Sequence, residues 1–102
     1  MGKSIQMCIR YEVKAYLLPQ YHETIKEVAA NLSHFDAGHI LLHRSNHDPC
    51  SVLEMFQVPS EAHFFALKKL RTSREHAIFG SLDSMIDGGV EKMECFGMIT
   101  DL

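Results

Sequence analysis

The chain has 102 residues, 46% of them hydrophobic and 23% charged, with ten Lys and Arg against thirteen Asp and Glu for a net charge of −3. That apolar share excludes disorder, no run approaches the roughly 18 apolar residues a membrane span needs, and an acid excess without a basic stripe argues against a nucleic-acid partner. The opening stretch lacks the apolar core of a signal peptide, and Cys8, Cys50 and Cys95 are an odd, widely spaced set without a C-x-x-C pair. Reduced thiols in a cytoplasmic protein are therefore expected.

Residues 5–14 alternate, with Ile5, Met7, Ile9, Tyr11 and Val13 apolar, which predicts a strand with one packed face. Pro19 suits the first turn of a helix, and Tyr21, Ile25, Val28 and Leu32 place an apolar stripe on a helix over 19–34. Asp36-Ala37-Gly38 ends it, Ile40-Leu41-Leu42 forms a short strand, Asn46-His47-Asp48-Pro49 turns the chain, and 52–58 forms a third strand. Ser60 N-caps a second helix with the stripe Ala62, Phe65, Ala66 and Leu70. Thr72 and Glu75 match a capping box, which predicts a third helix carrying Phe79, Leu82 and Ile86. Gly88-Gly89 stops that helix, and 91–99 gives the last strand.

The order β-α-β-β-α-α-β is the ferredoxin-like split βαβ plan of the α+β class. It builds a four-stranded antiparallel sheet in the order 4-1-3-2 with the helices on one face. No repeat or linker divides the chain, so residues 1–102 are expected to form one domain. Strands two to four carry apolar residues of both parities, leaving a second sheet face that needs a cover. A second copy of the chain is the simplest cover, giving a homodimer through the face bearing Cys8 and Arg10.

After the third strand come Glu54-Met55-Phe56, then Ser60-Glu61-Ala62, then His76 with Phe79 three residues on. This series resembles the antibiotic-biosynthesis-monooxygenase-like group of the dimeric α/β-barrel superfamily. The resemblance implies subunits that dimerise sheet to sheet and, for some members, oxidation of small aromatic or quinol-type substrates without a bound cofactor. Other members degrade haem, isomerise small signalling molecules or have no known activity. The haem-degrading branch uses an Asn on the first strand, a Trp and a His, of which only the His is matched, by His76. Phe56 stands where the group often carries Trp, keeping an aromatic wall without an indole donor.

On this reading His76 is the candidate catalytic base, taking a proton from a phenolic substrate that then passes electrons directly to O₂. Tyr11, Glu54, Phe56 and Phe79 are the candidate substrate-binding residues of a pocket between sheet and helices. Glu54, a charge on an apolar strand, needs a partner, Arg10 or another cation, or else serves to orient substrate. His39, His43, His47 and Cys50 have spacing that would converge on a metal from a helix, but on a strand residues four apart lie about 13 Å apart, so no metal site is expected. The alternative is a non-catalytic homodimer that binds a small molecule or serves a structural role.

Overall fold

The computed structural model describes residues 4–99. Its sheet is built from β1 (Ile5–Glu12), β2 (Gly38–Arg44), β3 (Ser51–Val58) and β4 (Glu94–Ile99), in the order β2-β3-β1-β4 with every neighbouring pair antiparallel. Two α-helices, α1 (Leu18–Leu32) and α2 (Glu61–Arg71), complete the ferredoxin-like plan. None of the described helices is long and apolar enough to cross a membrane.

Side-chain alternation decides what each sheet face carries. Ile5, Met7, Ile9 and Tyr11 of β1 lie opposite Val58, Phe56, Glu54 and Val52 of β3, and all eight are buried on the helix side. Tyr21, Ile25, Val28 and Leu32 are the buried stripe of α1, as their spacing predicts. Gly97 of β4 allows α2 to sit close to the sheet, since a Cβ there would come within 3.1 Å of the Phe64 ring and of Ile5.

Three expectations are corrected. The stripe of α2 is Phe64, Leu67 and Arg71, at i, i+3 and i+7, while Phe65 is 61% exposed. A stripe ending in arginine does not read as apolar, which is why Phe65 looked like the inward residue. The capping box does not start a third α-helix. Thr72 Oγ1 donates back to the Lys68 carbonyl and so closes α2, and residues 73–78 run irregularly into a short 3₁₀ turn, Phe79–Leu82. Phe79, Leu82 and Ile86 are buried all the same, because this connection packs as a plug against α1 and α2. Finally, β1 ends at Glu12, and Val13 makes an isolated bridge to Ile86.

Among the described residues no helix covers the opposite sheet face. Leu41 lies opposite Met55, Met55 opposite Cys8, and Cys8 opposite Phe96, an apolar row crossing all four strands. Leu41 is 53% exposed and Phe96 38%, while Cys8 is hidden between its neighbours.

Candidate functional site

Between α1 and the β2–β3 half of the sheet lies a half-open cleft of about 250 Å³. Ile25, Lys26, Ala29 and Leu32 line it from the helix, Ile40 and Leu42 from β2, and Glu54 from β3. The walls follow from periodicity: the helix residues fall on adjoining rows of α1, and Ile40, Leu42 and Glu54 share the helix-facing side of the sheet, with Leu42 directly opposite Glu54. A carboxylate therefore lies at the base of a mostly hydrocarbon site, the usual plan of a small-molecule pocket.

Glu54 is 2% exposed and held from two directions. Arg71 Nη1 donates to Oε1 at 2.7 Å and Nη2 to Oε2 at 2.6 Å, a two-pronged clamp from α2. Tyr11 Oη also donates to Oε2, at 2.5 Å. With the Tyr11 proton committed there, the 2.6 Å contact between the two phenols makes Tyr21 the donor to Tyr11. The result is a directed chain, Tyr21 to Tyr11 to Glu54, closed by Arg71. Oε2 accepts two bonds and Oε1 only one from the protein, so Oε1 retains an acceptor position.

Burial, reinforced by the Glu54 charge, holds the Tyr11 phenol well above its ordinary pKa, and burial does the same for Tyr21. Burial opposes the charge on Arg71, but Glu54 more than offsets that and keeps the guanidinium firmly protonated. The Cys95 thiol is pushed up by burial against the opposing pull of Arg71 and Lys68.

His76 has a different setting from the one its spacing suggests. Its Nδ1 accepts from the backbone N–H groups of Ile78 and Phe79, both at 3.1 Å, so the imidazole caps the 3₁₀ turn. Backbone amides are obligate donors, which places the neutral ring's proton on Nε2 and leaves no free lone pair for a base. The ring stacks on Phe79 at 4.4 Å, and Arg71 lies 5.4 Å from the centroid of the same Phe79 ring.

Four of the five predicted residues thus fall on one connected path: His76 on Phe79, Phe79 under Arg71, Arg71 on Glu54, and Glu54 on Tyr11. Phe56 is fully buried two residues beyond Glu54, opposite Met7. Of the five, Glu54 alone is among the residues lining the cleft; His76, Phe79, Phe56 and Tyr11 are not. Arg71 is the residue the sequence reading missed. A lone Glu on an apolar strand demanded a cation, and Arg71 follows Leu67 by one helical turn. Arg10, the partner first considered, instead pairs with Glu94 at 3.3 Å on the open face.

The histidines of the β2–β3 hairpin are dispersed. His39 has a φ of 52° at the irregularity where the β2 register shifts, His43 lies opposite Leu53 and His47 is in the connecting loop. Among the described residues no group of three or more His, Cys, Asp or Glu could hold a metal.

No protein-family model matches the sequence, and no curated protein matches it either. Solved structures do. A conserved protein from Methanosarcina mazei Go1 superposes with a TM-score of 0.72 at 14% identity, covering 98% of this chain and 95% of the other. An antibiotic biosynthesis monooxygenase matches at 0.65 and 10% identity, over 96% and 97%. The fold is that of the antibiotic-biosynthesis-monooxygenase-like proteins. A NIPSNAP family protein from Agrobacterium tumefaciens str. C58 shares it as well, at 0.68 and 15% identity over 99% and 89%. At such identities the likeness is one of architecture, and chemistry must be argued from the site.

Proposed function

We propose that this protein is a monooxygenase-like enzyme that takes a small aromatic or quinol-type molecule into the cleft between α1 and β2 and oxidises it with O₂ without a bound cofactor. The observation that carries the reading is the buried Glu54 carboxylate, clamped by Arg71 and Tyr11, with an acceptor position left on Oε1 and its residue among those lining an apolar cleft. A flat hydroxylated ring fits between Ile25 and Leu32 on one side and Ile40 and Leu42 on the other, its O–H donating to Oε1. Glu54 fixes the ring's orientation, and the apolar walls exclude water from it. Where a phenol is oxidised at a ring C–H, one oxygen atom of O₂ becomes the second carbonyl oxygen of the quinone and the other leaves as water. The broken ring C–H and the phenolic O–H supply the two hydrogens of that water, and the substrate supplies all four electrons. The name of the monooxygenase that shares the fold supports the activity. We include in this proposal a homodimer in which a second copy covers the row Leu41, Met55, Cys8 and Phe96.

An oxygen electrode with one- and two-ring phenols and quinols tests the reading. O₂ uptake above the rate of buffer alone, lost in Ala29→Phe because the new ring fills the cleft, is the expected result. A second reading, a non-catalytic binder of the same molecules, is favoured by the occupied Nδ1 of His76, which leaves no free imidazole base beside the cleft. Binding that Ala29→Phe abolishes, with no O₂ uptake from any bound phenol, would establish the binder and overturn the enzyme.

A further inference from the structure

The cleft is small and its rim is positively charged, and together these narrow what it takes. Lys26 lines it with its stem while its ammonium stays in solvent, 3.5 Å from Glu23 in a loose, exposed pair. Arg44 follows Leu42 by two residues, on the same side of β2, and donates at 2.6 Å to His22 Nε2 on α1, one turn before Ile25 and Lys26. That bond ties β2 to α1 at one end of the cleft. It sets a permanent cation beside the rim, with Lys26 as the second; Glu23 is the opposing charge. At the base, Glu54 is already neutralised by Arg71, so an anion at the rim faces two cations without facing an uncompensated carboxylate below.

Size gives an independent limit. An apolar cavity of about 150 Å³ holds benzene. The cleft, at about 250 Å³, has room between its walls for one substituted ring or two fused rings, and a third or fourth ring would project through its open side.

We propose that the ligand is a small hydroxylated aromatic acid. Its hydroxyl donates to Glu54 Oε1, its ring lies between α1 and β2, and its carboxylate meets Lys26 and Arg44 at the rim. This rests on the reading that the cleft holds a hydroxylated ring, and it adds the ring number and the anionic group.

The test is a titration of the full chain with 4-hydroxybenzoate, its methyl ester and a hydroxylated three-ring polycycle. Affinity is measured by calorimetry, and location by amide shifts at Ala29 and Leu42. The acid should bind about 3- to 10-fold more tightly than the ester at low salt, as expected for exposed charge pairs, and the difference should shrink in 0.5 M salt. Lys26→Gln should remove most of the preference for the acid over the ester, and Glu23→Gln should enlarge it. Lys26 is exposed, so its replacement leaves the fold intact. Equal or weaker binding of the acid, or tighter binding of the polycycle in the cleft, overturns this inference and leaves the proposed function standing. No shift at the cleft amides with any of the three overturns both.

Discussion

Arg71 and Glu54 meet through two bonds of 2.7 and 2.6 Å, and the two side chains are 0% and 3% exposed. A guanidinium and a carboxylate taken out of water together in this geometry make each indispensable to the other. The pair joins α2 to the central sheet, so it carries both stability and the orientation of the carboxylate that lines the cleft.

Replacing one partner should therefore be far worse than replacing both. Arg71→Met leaves a buried carboxylate without its cation and should cost about 3–5 kcal/mol in urea unfolding. Adding Glu54→Leu should restore most of that loss while abolishing phenol binding. A single Arg71→Met protein as stable as the wild type would show that water reaches Glu54 in solution.

The two buried phenols predict an alkaline limit. Tyr11 and Tyr21 have raised folded-state pKa values, whereas an unfolded tyrosine ionises near pH 10. Their protonated forms are equally populated in both states below that pH, so stability is unaffected there. Above about pH 10 the unfolded chain loses protons that the folded chain keeps, and stability should fall by up to about 1.4 kcal/mol per pH unit for each phenol. Tyrosinate absorbance from these two residues should rise together with loss of structure, and Tyr21→Phe should reduce the amplitude of that step. A step that precedes unfolding would contradict the buried setting.

His76 and Phe79 should separate in their effects. His76→Ala removes a cap accepting two backbone N–H groups and should cost about 1 kcal/mol, with phenol binding largely retained. Phe79→Ala empties a fully buried site under Arg71 and should cost about 3–5 kcal/mol. If an oxidation is found, a His76→Ala protein that is folded but loses turnover by about 10²-fold would restore this histidine as the base and revise its tautomer.

The open sheet face predicts assembly. Met55→Glu places a charge in the middle of the row Leu41, Met55, Cys8 and Phe96. Sedimentation should show the wild type as a dimer at micromolar concentration and this variant as a folded monomer. A monomeric wild type would remove the homodimer from the proposal.

How far the sequence alone reaches is clear from particular residues. The two-residue period of Ile5 to Val13 and the Tyr21-Ile25-Val28-Leu32 stripe determined β1, α1 and the faces they bury, because a one-residue shift would turn every apolar side chain outward. Element order then determined the split βαβ plan. Ser60 marked the start of α2, since its side chain accepts from His63 N–H as a cap must. Local signals failed where a long-range contact outweighed them. Thr72-Ser73-Arg74-Glu75 can cap a helix, but the chain there follows the plug of Phe79, Leu82 and Ile86 into the core. The site was legible as residues and not as a site. His76, Phe79, Glu54 and Tyr11 could be named from spacing and resemblance, but the link between them is Arg71, whose burial depends on a carboxylate 17 residues earlier on another element. No local period records such a pairing; only the packing of α2 on β3 decides it, because the energy of a buried charge is set by what lies across from it.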